Sequence, residues 1–202
     1  MLAGAQGADS ATLATMRPRC SVFIATSLDG FIARDDGRLD WLDAANARVP
    51  SGEDCGYGAF VAGIDAIVMG RRTFDFVRHV EPWPYALPVV VWSRGGVAVP
   101  PVLAGRVSVS AEAPAVLVER LGAAGARRLY VDGGQTIRAF LAAGLVDDLT
   151  ITTVPVLIGR GRPLFAGLDA DVPLELVASR SWPFGFVQST YRVRRGDRDG
   201  AG

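Results

Sequence analysis

Between residues 66 and 143 short apolar runs alternate with helical segments, and this alternation leaves few folds open. Residues 66–69, 88–92, 107–110 and 129–131 read as strands, whereas 73–78, 113–122 and 137–143 carry helical spacing. Parallel strands need crossover connections long enough to hold a helix, so the pattern specifies an α/β architecture with a mostly parallel sheet. Upstream, the β-branched and aromatic run 21–26 is a strand that meets the turn signal Leu28-Asp29-Gly30. Residues 52–63 space Tyr57, Phe60, Val61 and Ile64 as a helix, with Ser51 placed to cap it and Glu53 and Asp54 in its first turn. The ending differs: 149–156, 174–181 and 186–193 are strands, and only Trp182-Pro183-Phe184-Gly185 joins the last two. So short a joint makes them an antiparallel hairpin.

With 202 residues, half of them hydrophobic, the chain can bury one core and is expected to form a single domain over 19–195, flanked by flexible tails at 1–18 and 196–202. Its 21 basic and 21 acidic residues balance, which leaves no electrostatic footprint for nucleic acid or an anionic membrane. Cys20 and Cys55 lack metal-ligand spacing and His79 is the lone histidine, so no zinc site is expected, nor any serine-histidine triad without His79. The first 18 residues lack the basic start and apolar centre of a signal peptide, Met16 is an alternative initiator, and no apolar run reaches transmembrane length. A cytoplasmic protein with free thiols is expected.

Three strand ends carry groups suited to phosphate. Val131-Asp132-Gly133-Gly134 runs a strand into paired glycines at a helix start, where bare N–H groups and the helix dipole favour an anion. Taken alone the pair is equally a tight βα turn. Met69-Gly70-Arg71-Arg72-Thr73 adds two guanidiniums and a hydroxyl, which also reads as a capped helix with solvated arginines. Trp92-Ser93-Arg94-Gly95-Gly96 repeats the recipe, or forms an exposed loop. In an open α/β sheet these ends share one edge, where ligands bind. Three such ends suit a dinucleotide with a pyrophosphate and a separate ribose phosphate, NADPH rather than NADH. The Gly-x-Gly-x-x-Gly fingerprint is absent after the first strand.

Residues 21–33, Met69–Phe74, Trp92-Ser93-Arg94, Val131–Gly134, 143–149 and 155–165 together resemble the dihydrofolate reductase fold. More closely, the chain is similar to the branch containing the reductase domain of bacterial riboflavin biosynthesis, the RibD C-terminal domain. The resemblance implies a three-layer α/β/α domain and NADPH as cofactor. By it, Ala25 and Ile32 flank the nicotinamide, Arg71, Arg72 and Thr73 beside Gly70 meet the phosphates, and Ser93 with Arg94 holds the ribose phosphate. Val131 leads into Gly133 and Gly134, which pass beneath the pyrophosphate through a non-proline cis bond, and Gln135, Thr136 and Ile137 follow at the helix start. Residues 34–41 match a mobile loop over the nicotinamide.

Hydride transfer needs an oriented nicotinamide, an acceptor carbon and a proton for the heteroatom left behind. The family spacing places the acid at Asp54, although an acid in a first helical turn is expected from the dipole alone. Asp29, Trp41 and Tyr57 are the candidate substrate contacts; each has a structural alternative, as a turn residue, a loop anchor or a core aromatic. The zinc ligands of the fused deaminase are missing, so the chain reads as a reductase domain alone. Its expected activity is NADPH-dependent reduction of a C=N or C=O group in a small heterocycle of the pterin, dihydrofolate or ribosylaminopyrimidine type. The alternative is a non-catalytic NADPH-binding relative acting as a sensor or interaction protein. Relatives imply a homodimer, for which the apolar run 150–158 offers a surface, unless that run is a central strand.

Overall fold

The computed structural model describes residues 17–194. Six strands run parallel: β1 (Arg19–Ser27), β3 (Ala66–Gly70), β4 (Val89–Trp92), β5 (Val107–Ser110), β6 (Arg128–Asp132) and β7 (Val146–Val154). The hairpin β9 (Leu174–Ser181) and β10 (Val187–Val193) closes one side antiparallel. The order across the eight strands is β5-β4-β3-β6-β1-β7-β10-β9, and β2 (Phe31–Ala33) pairs separately with β8 (Arg162–Pro163). This is the three-layer dihydrofolate reductase-like arrangement expected from the sequence.

Side-chain alternation divides the core. Along β6, Leu129 and Val131 face one side with α4 (Pro114–Ala123) and α5 (Gly134–Ala142), while Tyr130 faces the other. The first layer packs Leu117, Val118, Ile137 and Phe140 on the sheet; the second packs Phe60 of α2 (Tyr57–Val61) with Phe74 and Val77 of α3 (Arg71–Val77). Full burial of side chains such as Phe74 and Phe140 stabilises by roughly 1.5 to 3 kcal/mol each. A third cluster sets Trp41 and Ala45 of α1 (Asp40–Asn46) against Val154, Trp182 and Phe186, fixing α1 to the hairpin.

The two strand-end edges have different characters. At the N-terminal edge the buried Asp148 accepts from Arg19 Nε at 2.6 Å, Ser21 Oγ at 2.8 Å and Arg128 at 3.3 Å, so its charge is compensated in place. The opposite edge opens into the cavities described below.

Several boundaries depart from the sequence-based expectation. The helix expected over 52–63 forms only at Tyr57–Val61, because Cys55 (φ 52°) and Gly56 (φ 84°) adopt left-handed conformations no helix can contain. Gly56, not Ser51, precedes its first turn. The loop expected over 34–41 gives way to α1 at Asp40, since Trp41 and Ala45 share one face and are buried by the hairpin. The run 150–158 begins in β7, a central strand paired on both edges, and is thereby occupied as a surface for a partner chain. Arg17, expected in a tail, pairs with Asp147 at 2.9 Å, and Arg194 N donates to Pro173 O. The remaining tail expectations, 1–16 and 195–202, lie outside the described residues.

Candidate functional site

The ends of β1, β3, β4 and β6 open on the edge where the strand order reverses around β1, the place where α/β sheets bind ligands. A cavity of about 430 Å³ is lined there by Ala25, Ile32, Thr73, Asp132, Gly133 and Gly134, among others. It continues past Gly70, Arg72, Gln135 and Thr136 into a cleft of about 480 Å³, where Arg71, Trp92, Ser93 and Arg94 form the far wall. The three phosphate-suited strand ends thus converge. On the other side of Ala25 and Leu42 lies a third cavity of about 460 Å³, lined by Phe23, Glu53, Asp54, Thr152 and Phe186. Ala25 is therefore a wall common to the channel and to a separate chamber that carries two acids.

The floor of the channel requires glycine. Gly133 sits at φ 87°, ψ 132°, a region L side chains avoid, and a Cβ there would collide with Thr73 Oγ1. A Cβ on Gly134 would lie 2.7 Å from Ile32 Cδ1, and one on Gly70 2.8 Å from Thr136 Oγ1. Backbone is thus laid bare at the start of α5, whose first N–H groups have no side-chain cap. Thr136 Oγ1 is buried without a hydrogen-bond partner at that same turn. An unpaired buried hydroxyl beside free amides suits an incoming anion. The expected cis peptide between Gly133 and Gly134 is absent: the cis bond among the described residues is Glu81–Pro82, and the positive φ of Gly133 makes the turn instead.

Strand and helix geometry removes some expected residues from the site. Val131 and Ile137 are fully buried between the sheet and its helices, because alternation along β6 and the inward face of α5 point them into the core. Trp41 lies in the third core cluster, where it anchors α1 against Val154, Trp182 and Phe186. Asp29 is a turn residue: its carboxylate accepts from Ser27 Oγ at 2.6 Å, Gly159 N at 2.7 Å and Ile158 N at 3.1 Å, which hold it below the usual carboxylate range. Tyr57 packs edge-on against Phe23, behind the chamber wall, and burial raises its hydroxyl.

Asp54 lines the chamber and Asp132 the channel, and their carboxyls are shifted in opposite directions. Asp54 lies ahead of α2 and accepts from Gly56 N and Gly58 N, both at 2.8 Å; these bonds favour the anion and lower its pKa. Asp132, which ends β6 and was missed from sequence, faces the channel on the Tyr130 side of the sheet. Part of the residue opens to the cavity, yet its carboxyl sits among Tyr57, Tyr85 and Tyr130, and this low-dielectric surrounding governs its ionisation. Burial pushes it up to about 6, against the opposing pull of its bond from Gly133 N at 2.8 Å. An acid ending an apolar strand at the ligand edge was the available signal.

The segment ahead of α1 is braced by charge. Arg34 pairs with Asp40 at 2.7 Å, Arg38 with Asp36 at 2.6 Å, and Arg162 donates to Asp35 O at 2.9 Å while lining the channel. The hairpin in turn supports the chamber. Trp182 Nε1 donates to Glu53 Oε2 at 2.9 Å, and Gln188 Nε2 to Cys55 O at 3.0 Å and Thr152 Oγ1 at 2.9 Å.

The fold has counterparts. The chain is 30% identical to the protein YwjB of Bacillus subtilis (strain 168) over 181 residues, 89% of this chain and 99% of that protein. A crystal structure from Shewanella sp. PV-4 assigned to riboflavin biosynthesis superposes with a TM-score of 0.83 at 38% identity, covering 88% of this chain and 99% of the other. The Thermotoga maritima diaminohydroxyphosphoribosylaminopyrimidine deaminase/5-amino-6-(5-phosphoribosylamino)uracil reductase shares the fold at a TM-score of 0.66 and 15% identity, with 88% of this chain matched to 57% of that longer one. The family model for the RibD C-terminal domain matches residues 18–187, and the chain belongs to that family.

Proposed function

We propose that this protein is an NADPH-dependent reductase of a C=N or C=O group in a small heterocycle. The observation that carries the reading is the pair of spaces meeting at Ala25: a channel with three anion-suited strand ends, and a chamber of substrate size with apolar walls and two acids. The bare backbone at Gly133 and Gly134, with the orphaned Thr136 hydroxyl, fits the pyrophosphate of a dinucleotide. Arg71, Arg72, Ser93 and Arg94 would hold the ribose phosphate, where guanidinium forks match its oxygens. Ala25 and Ile32 would border the nicotinamide. When bound, that group supplies the hydride.

The chain's own residues then orient the reactants, exclude water and deliver a proton. Asp132, with a carboxyl near 6, is the better proton source, because it holds its proton closer to neutrality than Asp54 does. Asp54, kept anionic by two amides, serves as an acceptor for the substrate. A raised acid in a channel that shares the Ala25 wall with a second, substrate-sized chamber favours an enzyme over a non-catalytic sensor. The protein works as a homodimer in a cytoplasmic setting; β9 offers an open sheet edge with Leu174, Leu176 and Val177 exposed.

Loss of NADPH absorbance in the presence of a pterin, pyrimidine and carbonyl panel tests the reading. Turnover of at least one member is expected. NADPH binding without any turnover across the panel would favour the sensor instead.

A further inference from the structure

The chamber beside Ala25 constrains the substrate's charge, an inference that rests on the reductase reading above. Its apolar wall is Phe23, Leu42, Val49 and Phe186, and its polar side chains include Asn46, Thr152, Glu53 and Asp54. No arginine lines it, and the chain contains no lysine, all 21 basic residues being arginine. The acids are fixed in place. Glu53 accepts from Cys55 N at 2.7 Å and Trp182 Nε1 at 2.9 Å, with Arg180 behind it at 3.6 Å to offset its charge. Asp54 is locked by the two glycine amides and forms no ion pair among the described residues.

In the segment ahead of α1, Arg34 and Arg38 are paired with Asp40 and Asp36; of the channel-lining arginines, Arg162 donates to Asp35 O and Arg138 to Pro163 O. The guanidiniums suited to phosphate line the channel and its far cleft, Arg72 and Arg94 beside Arg71, which also pairs with Asp75 at 3.4 Å, and none lines the chamber on the other side of Ala25. A phosphate monoester entering the chamber would shed water against a fixed anion and gain no cation, an arrangement that disfavours binding. An amino or ring N–H group, by contrast, would find acceptor lone pairs on Asp54, since each of its oxygens accepts one backbone N–H.

We infer that the chamber takes an unphosphorylated planar heterocycle that presents an N–H donor to Asp54, and that Asp54 determines specificity by rejecting phosphorylated substrates. The family fold is shared with a reductase of a phosphoribosylated uracil; the chamber of this chain is built for the molecule without its phosphate.

The test uses matched pairs, the ribosylaminouracil and its 5′-phosphate together with pterins with and without a phosphate ester, titrated by calorimetry into the protein saturated with the oxidised cofactor NADP+, which cannot reduce them. The unphosphorylated member of each pair should bind at least about tenfold tighter at about 0.05 M salt, and the ratio should shrink towards unity at about 0.5 M, where screening shortens the reach of Asp54. Asp54→Asn should shrink the ratio at low salt in the same way, while NADPH affinity stays put. Equal or tighter binding of the phosphorylated members overturns the inference, as does failure of every unphosphorylated member to bind at millimolar concentration. NADPH titration of the cofactor-free protein separates the two proposals: NADPH binding with a phosphate preference in the paired titrations sinks this inference alone, and no NADPH binding sinks the reductase reading.

Discussion

Replacing Asp132 by Asn should make the protein more stable at neutral pH and nearly inactive. The carboxyl is raised from 3.8 to about 6 by burial, so the folded state binds its proton more tightly than the unfolded chain does. Stability from this group is fully present below about pH 4 and is lost as pH rises through about 6. A shift of about two units at about 1.4 kcal/mol each gives roughly 3 kcal/mol of lost stability above pH 7. Asn carries no charge to bury and keeps a carbonyl for the bond from Gly133 N, although its amide must find a new partner, which removes about 1 kcal/mol of the gain. Urea unfolding of both proteins from pH 4 to pH 8 should show a stability difference that grows by roughly 2 to 3 kcal/mol in favour of the Asp132→Asn variant, with the rise centred between about 4 and 6. Turnover should fall by about 10² to 10⁴-fold, and the alkaline limb of kcat/KM that sits near 6 in the free enzyme should vanish. A stability difference that stays constant with pH, or an unchanged limb, would refute the argument.

Gly133→Ala puts a side chain into a backbone region reserved for glycine and against Thr73 Oγ1, so urea unfolding should show a loss of about 1 to 3 kcal/mol or more, with NADPH binding weakened as the floor shifts. Arg94→Ala should raise the Kd for NADPH by about 10- to 100-fold in calorimetry and leave NADH nearly unchanged, since only the ribose phosphate loses a partner. Leu176→Arg places a charge on the exposed β9 edge, and sedimentation should show a dimer in the parent and a monomer in the variant.

The alternation of apolar strands and helices was legible because β3, β4 and β6 are buried on both faces and bounded by glycine or charge. The glycine and arginine positions of the channel were legible for a related reason, since they sit where strands must end. What escaped was set by distant parts of the chain. The α1 helix is only seven residues long, and its place depends on Trp182 and Phe186, which arrive about 140 positions later. Val131 and Ile137 belong to motifs at the site yet point into the core, a distinction that strand alternation and helix phase decide. Asp132 looks in sequence like part of a glycine turn; its raised carboxyl comes from burial beside residues as distant in the chain as Tyr57 and Tyr85.

The central claim is that the strand-end channel holds NADPH. Trp92 lines the cleft beside Ser93 and Arg94, so its fluorescence reports on that space directly. Titration with NADPH and NADH in parallel should show quenching by both at saturation, with NADPH at least about tenfold tighter through its extra phosphate. Equal affinities would contradict the assignment of Arg71, Arg72 and Arg94, and no response to either would contradict the claim itself.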